Sequence, residues 1–197
     1  MNENFVYRYG DNLYINLTNK CCNDCDFCIR NNGDGIGESG NLWLSREPSA
    51  DEVIALIESF DNYDEIVFCG YGEPTYKTEI MIEVANFVHG KGKKTRLNTN
   101  GLGNLINGRN IVDDLKTAID TMSISLNSHT KEGYDAICHS IYGLDAFDEM
   151  LDFTTKCVNA GIETMVSVVA VDGVDVEACQ VLASRTGAKL KVREYIK

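Results

Sequence analysis

Hydrophobic and polar positions along this 197-residue chain switch repeatedly between two periods. Short runs that alternate, or are continuously apolar and β-branched, occur at 14–18, 65–69, 94–98, 122–126, 164–171 and 190–195, and each predicts a strand. Between them the apolar spacing lengthens to that of a helix. Ser49 and Glu52 form a capping-box pattern ahead of Val53, Leu56, Ile57 and Phe60, an i, i+3, i+4, i+7 stripe. A second helix is predicted over 79–89, with Ile80, Met81, Val84, Ala85 and Val88 on one face, and a short one near 111–118. Phe147, Met150, Leu151 and Val158 mark a longer helix closed by Gly161. A last helix runs from Asp175, with Cys179, Leu182 and Ala183 inward and Gly187 as its stop. Residues 30–44 carry no period and are rich in Asn and Gly, so they read as a flexible loop with an apolar end at Leu42, Trp43 and Leu44. The formal GxGxxG from Gly35 to Gly40 neither follows a strand at once nor opens a helix, which makes it a weak dinucleotide signal.

Alternating strands and helices at this spacing imply parallel strands with right-handed crossovers. Eight such units and about 250 residues make a full TIM barrel. Six strand-like runs in 197 residues therefore predict an α/β fold of the partial (β/α)6, TIM-like barrel type, a single domain over 1–197. Composition changes this little: 44% hydrophobic and 24% charged is ordinary for a globular chain. A net charge of −12 argues against a nucleic-acid scaffold, and the one basic run, 91–96, reads as a solvated turn between helix and strand. The polar start offers no signal peptide and no apolar run is long enough to span a membrane. Free cysteines scattered through helical segments fit a reducing cytoplasm.

The chemistry concentrates in Cys21-Cys22-Asn23-Asp24-Cys25-Asp26-Phe27-Cys28, directly after the first strand. Half of the chain's eight cysteines fall in this loop, close enough to converge on one inorganic centre. Spacing alone allows two ligand sets. Cys22, Cys25 and Cys28 open a ferredoxin-like run, whose fourth position is Asn32 here; Cys21, Cys25 and Cys28 give C-x3-C-x2-C with Phe27 before the last cysteine. A structural zinc site would need a fourth Cys or His that no downstream CxxC or HxxxH supplies, and the spacing is too tight for two good disulfides.

The second set resembles the cluster loop of the radical S-adenosylmethionine (SAM) superfamily. That resemblance implies a [4Fe–4S] cluster held by Cys21, Cys25 and Cys28, with the fourth iron open to the amine and carboxylate of SAM and Cys22 spare. It also implies a barrel whose chemistry lies at the carboxyl ends of the strands. There Gly70-Tyr71-Gly72-Glu73-Pro74 resembles the family's GGEP turn with Tyr71 inserted, and its backbone is expected to meet the SAM amine where glycine permits close approach. Asn98-Thr99-Asn100-Gly101 resembles the family's TNG sequence, which adds Asn98 and Asn100 to the SAM-binding candidates. Ser123, Ser125 and Asn127 share one face of strand four; Ser125 and Asn127, nearer its end, are the candidates for SAM's ribose and carboxylate, Ser123 for a structural role. Strand five has Val168-Val169-Ala170-Val171 in place of the family's GxIxGxxE, leaving adenine to backbone groups.

Cys69, Cys138, Cys157 and Cys179 read as small buried hydrophobes, with Cys69 singled out by its place beside the glycine turn. His129 and His139 read as surface or capping residues. The stretches 69–75, 96–102, 107–110 and 123–127 resemble the small TatD-associated group of radical SAM proteins, which fixes cofactors better than substrate. The expected function is reductive cleavage of SAM to a 5′-deoxyadenosyl radical that abstracts hydrogen from an unidentified small-molecule or protein substrate. The expected electron donor is a flavodoxin or ferredoxin, with no nucleic-acid or membrane partner and no auxiliary-cluster extension. The alternatives are an activase that installs a glycyl radical on a partner protein and a non-catalytic iron–sulfur electron carrier.

Overall fold

The computed structural model describes residues 3–194 other than 58, 61 and 172. Its centre is a seven-stranded sheet in which the strands lie in chain order, β1 to β7. β2 (Asn12–Ile15), β3 (Glu65–Phe68), β4 (Lys94–Thr99), β5 (Thr121–Ser125), β6 (Glu163–Val169) and β7 (Lys189–Arg193) are parallel neighbours, the six strands expected. Each parallel step to the adjacent strand carries helix: α1 (Ala50–Leu56), α2 (Thr78–Gly90), α3 (Gly103–Asn107) with α4 (Val112–Leu115), α5 (Lys131–Cys138) with α6 (Asp145–Asn159), and α7 (Val176–Thr186). The sheet curls into an unclosed partial barrel, as the spacing predicts.

Three features depart from the pattern reading. An antiparallel strand, β1 (Val6–Tyr9), pairs with β2 through the two-residue turn Gly10-Asp11, with Gly10 at φ 60°. A Gly-Asp pair between two short runs is a hairpin signal, and it was legible in the sequence. α1 is opened by the predicted capping box but stops at Leu56, which is 47% exposed, so the predicted stripe is only partly inward. Ser59 and Asn62 follow, residue types whose side chains compete with helical backbone bonds. α5, absent from the pattern reading, carries a short stripe of Tyr134, Ile137 and Cys138, and Thr130 starts it by accepting from Gly133 N. Strand ends shift by a residue or two, and Tyr195 of the predicted last strand lies outside the described residues.

The sheet has two differently filled faces. Leu13, Ile15, Ile66, Phe68, Leu97, Met122, Ile124, Val166 and Val168 face the helices and merge with them into the main core. The alternate positions face the barrel lumen. On the β1–β3 side the lumen holds a second apolar cluster, in which Tyr7, Leu42 and Tyr71 are joined by Tyr14, Ile29 and Ile36. Two of these come from the loop predicted to be flexible. Asn16 Nδ2 donates to Leu42 O (2.8 Å), while Asn19 Nδ2 donates to Leu44 O (2.7 Å) and Asn19 Oδ1 accepts from Leu44 N (3.0 Å). Loop 29–44 is thereby fixed against the first three strands. Among the described residues no helix is long and apolar enough to cross a membrane.

Gly101, at φ +81°, turns the chain from β4 into α3, and a Cβ there would stand 2.8 Å from Ile124 Cγ2 and Met150 Cγ. Gly161, at φ +82°, follows α6 with open space around it. Gly161→Ala should cost about 1 kcal/mol, the strain of a positive φ alone. Gly101→Ala adds the clash and should cost about 2 kcal/mol or more. Denaturant midpoints of the two variants check the order.

Candidate cluster and SAM site

The cysteine loop leaves β2 at the carboxyl end of the sheet and is strapped to the end of α5. Asp24 N donates to Cys138 O (3.0 Å), Asp26 N to Ile137 O (3.1 Å), and Ile141 N to Cys22 O (2.9 Å). Asn23 Nδ2 donates to Tyr134 Oη (3.2 Å), and His139 Nε2 meets Asp26 Oδ1 at 2.8 Å. His139 can sit there because it ends α5 in the left-handed conformation, φ 45°. The capping role expected of it holds, with a contact to the cluster loop that the sequence did not announce.

Within the loop the four thiols separate by environment. Cys21, Cys25 and Cys28 are half-buried, whereas Cys22 is 1% exposed and belongs to the helix-side core. Cys22 donates to Cys21, which pushes the Cys22 thiol up and holds Cys21 down. Cys25 donates to Cys138, and that bond, with burial, pushes Cys25 up. Cys138 is therefore more than a filler of the core: its carbonyl oxygen accepts from Cys25 Sγ (3.9 Å) and its sulfur from Asn127 Nδ2 (3.4 Å). Among the described residues, no three Cys, His, Asp or Glu side chains already converge tightly enough to hold a metal ion.

The turn after β3 packs directly on the start of the cysteine loop. Glu73 N donates to Lys20 O at 2.7 Å. A Cβ on Gly72 would stand 2.3 Å from Thr18 O and 2.6 Å from Lys20 O, and one on Gly70 would stand 2.0 Å from Asn16 Oδ1. Gly72 is thus required by the protein's own backbone and Gly70 by the side chain of Asn16, whatever they offer a ligand. Tyr71, the inserted residue, is 3% exposed; its hydroxyl donates to Gly33 O (2.8 Å) and its ring meets Trp43 edge-on at 5.0 Å. It anchors loop 29–44 to the cluster side of the barrel.

Glu73 is the hub of this end. Its Oε1 accepts from Thr75 N (3.1 Å), Thr75 Oγ1 (2.8 Å) and Thr99 Oγ1 (2.7 Å), and its Oε2 from Asn100 N (2.8 Å). Burial pushes this carboxyl up, and the four bonds only partly offset that. Asn100 is saturated too: Nδ2 donates to Cys22 Sγ at 3.1 Å and Oδ1 accepts from Leu102 N at 3.0 Å. Both side chains are engaged in holding the turns after β3 and β4 to each other and to Cys22.

Other candidates are placed differently. Asn98 faces the lumen beside Cys69, and its Oδ1 is buried without a hydrogen-bond partner. Ser123 and Ser125 face the lumen, half-buried. Asn127 does not continue their face: β5 ends at Ser125, and Asn127 turns at φ 57° toward Cys138, leaving its own Oδ1 buried and unpartnered. Asn is one of the few non-glycine residues that accepts this conformation, a signal carried by identity rather than period.

The Radical SAM superfamily model matches residues 15–184 of this chain. No curated protein matches. Among solved structures, SuiB of Streptococcus suis bound to precursor peptide SuiA superposes with TM-score 0.69 at 15% identity, over 98% of this chain and 41% of that one. Native anSMEcpe with bound AdoMet gives 0.66 at 16%, over 93% and 51%. TYW1 with a lysine-pyruvate adduct gives 0.64 at 14%, over 95% and 65%. At these identities the likeness is one of fold, and the chain spans between about two fifths and two thirds of those proteins.

Gly72→Ala should lower the melting temperature of the protein before any cofactor is added, by the equivalent of about 2 kcal/mol or more, because carbonyl oxygens of backbone cannot move aside as side chains can. Calorimetry on the cofactor-free chain measures it. An unchanged melt would leave the SAM amine as the only reason for the glycine.

Proposed function

Because this chain belongs to the radical SAM superfamily, whose cofactors are a [4Fe–4S] cluster and SAM, we propose that it cleaves SAM reductively and directs the radical at a substrate held in the lumen. The observation that carries the reading is the sorting of the loop thiols: Cys21, Cys25 and Cys28 reach the mouth half-buried, while Cys22 is committed to the core. When bound, the cluster supplies the electron that splits SAM into methionine and a 5′-deoxyadenosyl radical, which abstracts hydrogen from the substrate.

The chain's own residues bind, orient and exclude water. Three thiolates from one loop suit iron, and their softness favours a cluster over a hard cation. The unpartnered Oδ1 atoms of Asn98 and Asn127 are acceptors suited to the amine and hydroxyl donors of SAM, and each now lacks the bond that its burial calls for. Ser125, at the end of β5 on the lumenal face, is a further polar candidate. The backbone of Gly70, Tyr71 and Gly72 supplies the amine-binding edge; Glu73 and Asn100 hold that edge and the cysteine loop in register. The apolar packing of loop 29–44 closes the β1–β3 side of the lumen to water. Electrons are expected from a flavodoxin or ferredoxin. The finer likeness to the TatD-associated group rests on the four sequence stretches that carry it.

Two measurements test this. After anaerobic reconstitution, Cys21→Ala, Cys25→Ala and Cys28→Ala should each lose the broad visible absorbance and the iron that Cys22→Ser retains; full loading in Cys21→Ala with loss in Cys22→Ser would reverse the ligand assignment. Dithionite-reduced protein should convert SAM to 5′-deoxyadenosine and methionine slowly, and Cys25→Ala should abolish this. Absence of both products, together with no effect of SAM on the EPR spectrum of the reduced cluster, would end the radical SAM reading.

A further inference from the structure

The short helical turn that follows the last loop cysteine carries a cation that the proposed ligand set leaves without a role. This turn, Ile29–Asn32, leads straight out of Cys28. It folds the chain back over the cysteine loop: Cys28 N donates to Cys25 O (3.0 Å), Asn31 N to Cys28 O (2.9 Å) and Asn31 Nδ2 to Cys25 O (3.4 Å). Arg30 follows the same return path. Its Nη2 donates to Asn23 O at 3.5 Å and stands 3.6 Å from Asp24 Oδ1. Asn23 lies two residues from Cys21 and two from Cys25. The guanidinium therefore crosses the loop, from the Cys28 end to the stretch between the other two proposed ligands.

The Arg30 side chain is only 15% exposed, and its head lies over the ring of Trp43, 5.9 Å from the centroid. Trp43 is held there by its edge-on contact with Tyr71. A charge sheltered in this way is screened far less than one in open solvent. Its partners answer it poorly. The two oxygen contacts are long, and Asp24 is 82% exposed, so that pair offsets little of the charge. Asp26 is turned to His139, and the carboxyl of Glu73 to Thr75, Thr99 and Asn100. Among the described residues, the cations whose ion pairs or hydrogen bonds reach residues 21–28 are Arg30 and His139, and of these Arg30 alone keeps its charge at every working pH. A desolvated cation with such weak partners costs stability, and an anionic centre on three thiolates is the counter-charge that offsets it.

We propose that Arg30 acts through the cluster and not on the substrate: its fixed positive charge, sheltered by Trp43, raises the reduction potential of a [4Fe–4S] centre held by Cys21, Cys25 and Cys28. This deepens the radical SAM reading and rests on it for the cluster. Reduction brings one electron from the flavodoxin-type or ferredoxin-type donor and adds one negative charge to a centre that its thiolates already make anionic. A cation beside that centre stabilises the reduced form more than the oxidised form. In a chain of net charge −12 the field of the whole protein opposes the incoming electron, and Arg30 counters it at the point of arrival.

Anaerobic redox titration of cluster-loaded protein tests this, without SAM and followed by the EPR signal of the reduced cluster. Two neutral variants divide the contacts of the side chain: Arg30→Gln keeps a donor for Asn23 O, and Arg30→Met keeps the stem beside Trp43. At the wild-type midpoint each should lower the ratio of reduced to oxidised cluster about tenfold, a shift of about −59 mV for a one-electron couple. Arg30→Lys keeps the charge and should stay within about threefold of wild type. Lys116→Gln, at the end of α4, makes the same change in net charge away from the loop and should leave the midpoint where it is. Wild-type midpoints in both neutral variants, or a shift in Arg30→Lys or Lys116→Gln as large as theirs, would overturn the inference. Neutral variants that take up no iron would also overturn it, assigning Arg30 to the building of the loop. Shifted midpoints in a protein that leaves SAM intact would keep the inference and lose the radical SAM reading; SAM cleavage with one midpoint common to all variants would do the reverse.

Discussion

The carboxylate of Glu73 is the constraint on which the site's architecture rests. It joins the turn after β3 to the turn after β4 by accepting from Thr75, Thr99 and Asn100, and the same turn donates its own amide to Lys20 at the entrance to the cysteine loop. Three consecutive strand ends are thereby tied at one buried point. Each bond is of ordinary strength, but breaking the set would leave a buried acceptor and several buried donors unsatisfied at once, and that penalty is what makes the arrangement stiff. Asn100 extends the tie to Cys22. The spare cysteine thus has a task as a packed acceptor that locates its neighbour Cys21.

The two faces of the sheet divide the labour. The helix-side core is uniform and apolar, and it sets the positions of the strands. The lumenal face changes character across the sheet, from tyrosines through a paired Arg96 to the serines of β5 and the exposed basic residues of β7. A barrel that closed would have to satisfy every one of those groups internally. Among the described residues β7 pairs on one side only, and the unclosed sheet keeps polar and charged side chains on a concave surface.

How legible this was depends on whether the responsible signal is local. The parallel strands and most helices were readable because their apolar periods are dictated by one continuous core; α5 stands apart because it is only eight residues long, with a stripe of three, Tyr134, Ile137 and Cys138, and a glycine in its first turn. The cysteine loop was readable from spacing, and the glycine turn from identity. The reason for Gly72 was not, because the carbonyls it must clear, those of Thr18 and Lys20, lie more than fifty residues back. Nor could spacing show that Glu73 and Asn100 are saturated by internal partners while Asn98 and Asn127 keep a buried oxygen free. The lumenal side of Lys191 and Arg193 follows from alternation, but only once the register with β6 is known.

The straps between the cysteine loop and α5 have a consequence for the life history of the protein. They are made by backbone groups and by Asn23, Asp26, Tyr134 and His139, none of which is a proposed iron ligand. Ordering a free loop costs roughly 1–2 kcal/mol per residue, and here that cost is met by folding and not by iron. A chain stripped of its cluster by oxygen would then keep its loop in place, ready to be refilled. Damage at this centre would be a matter of replenishment rather than of refolding.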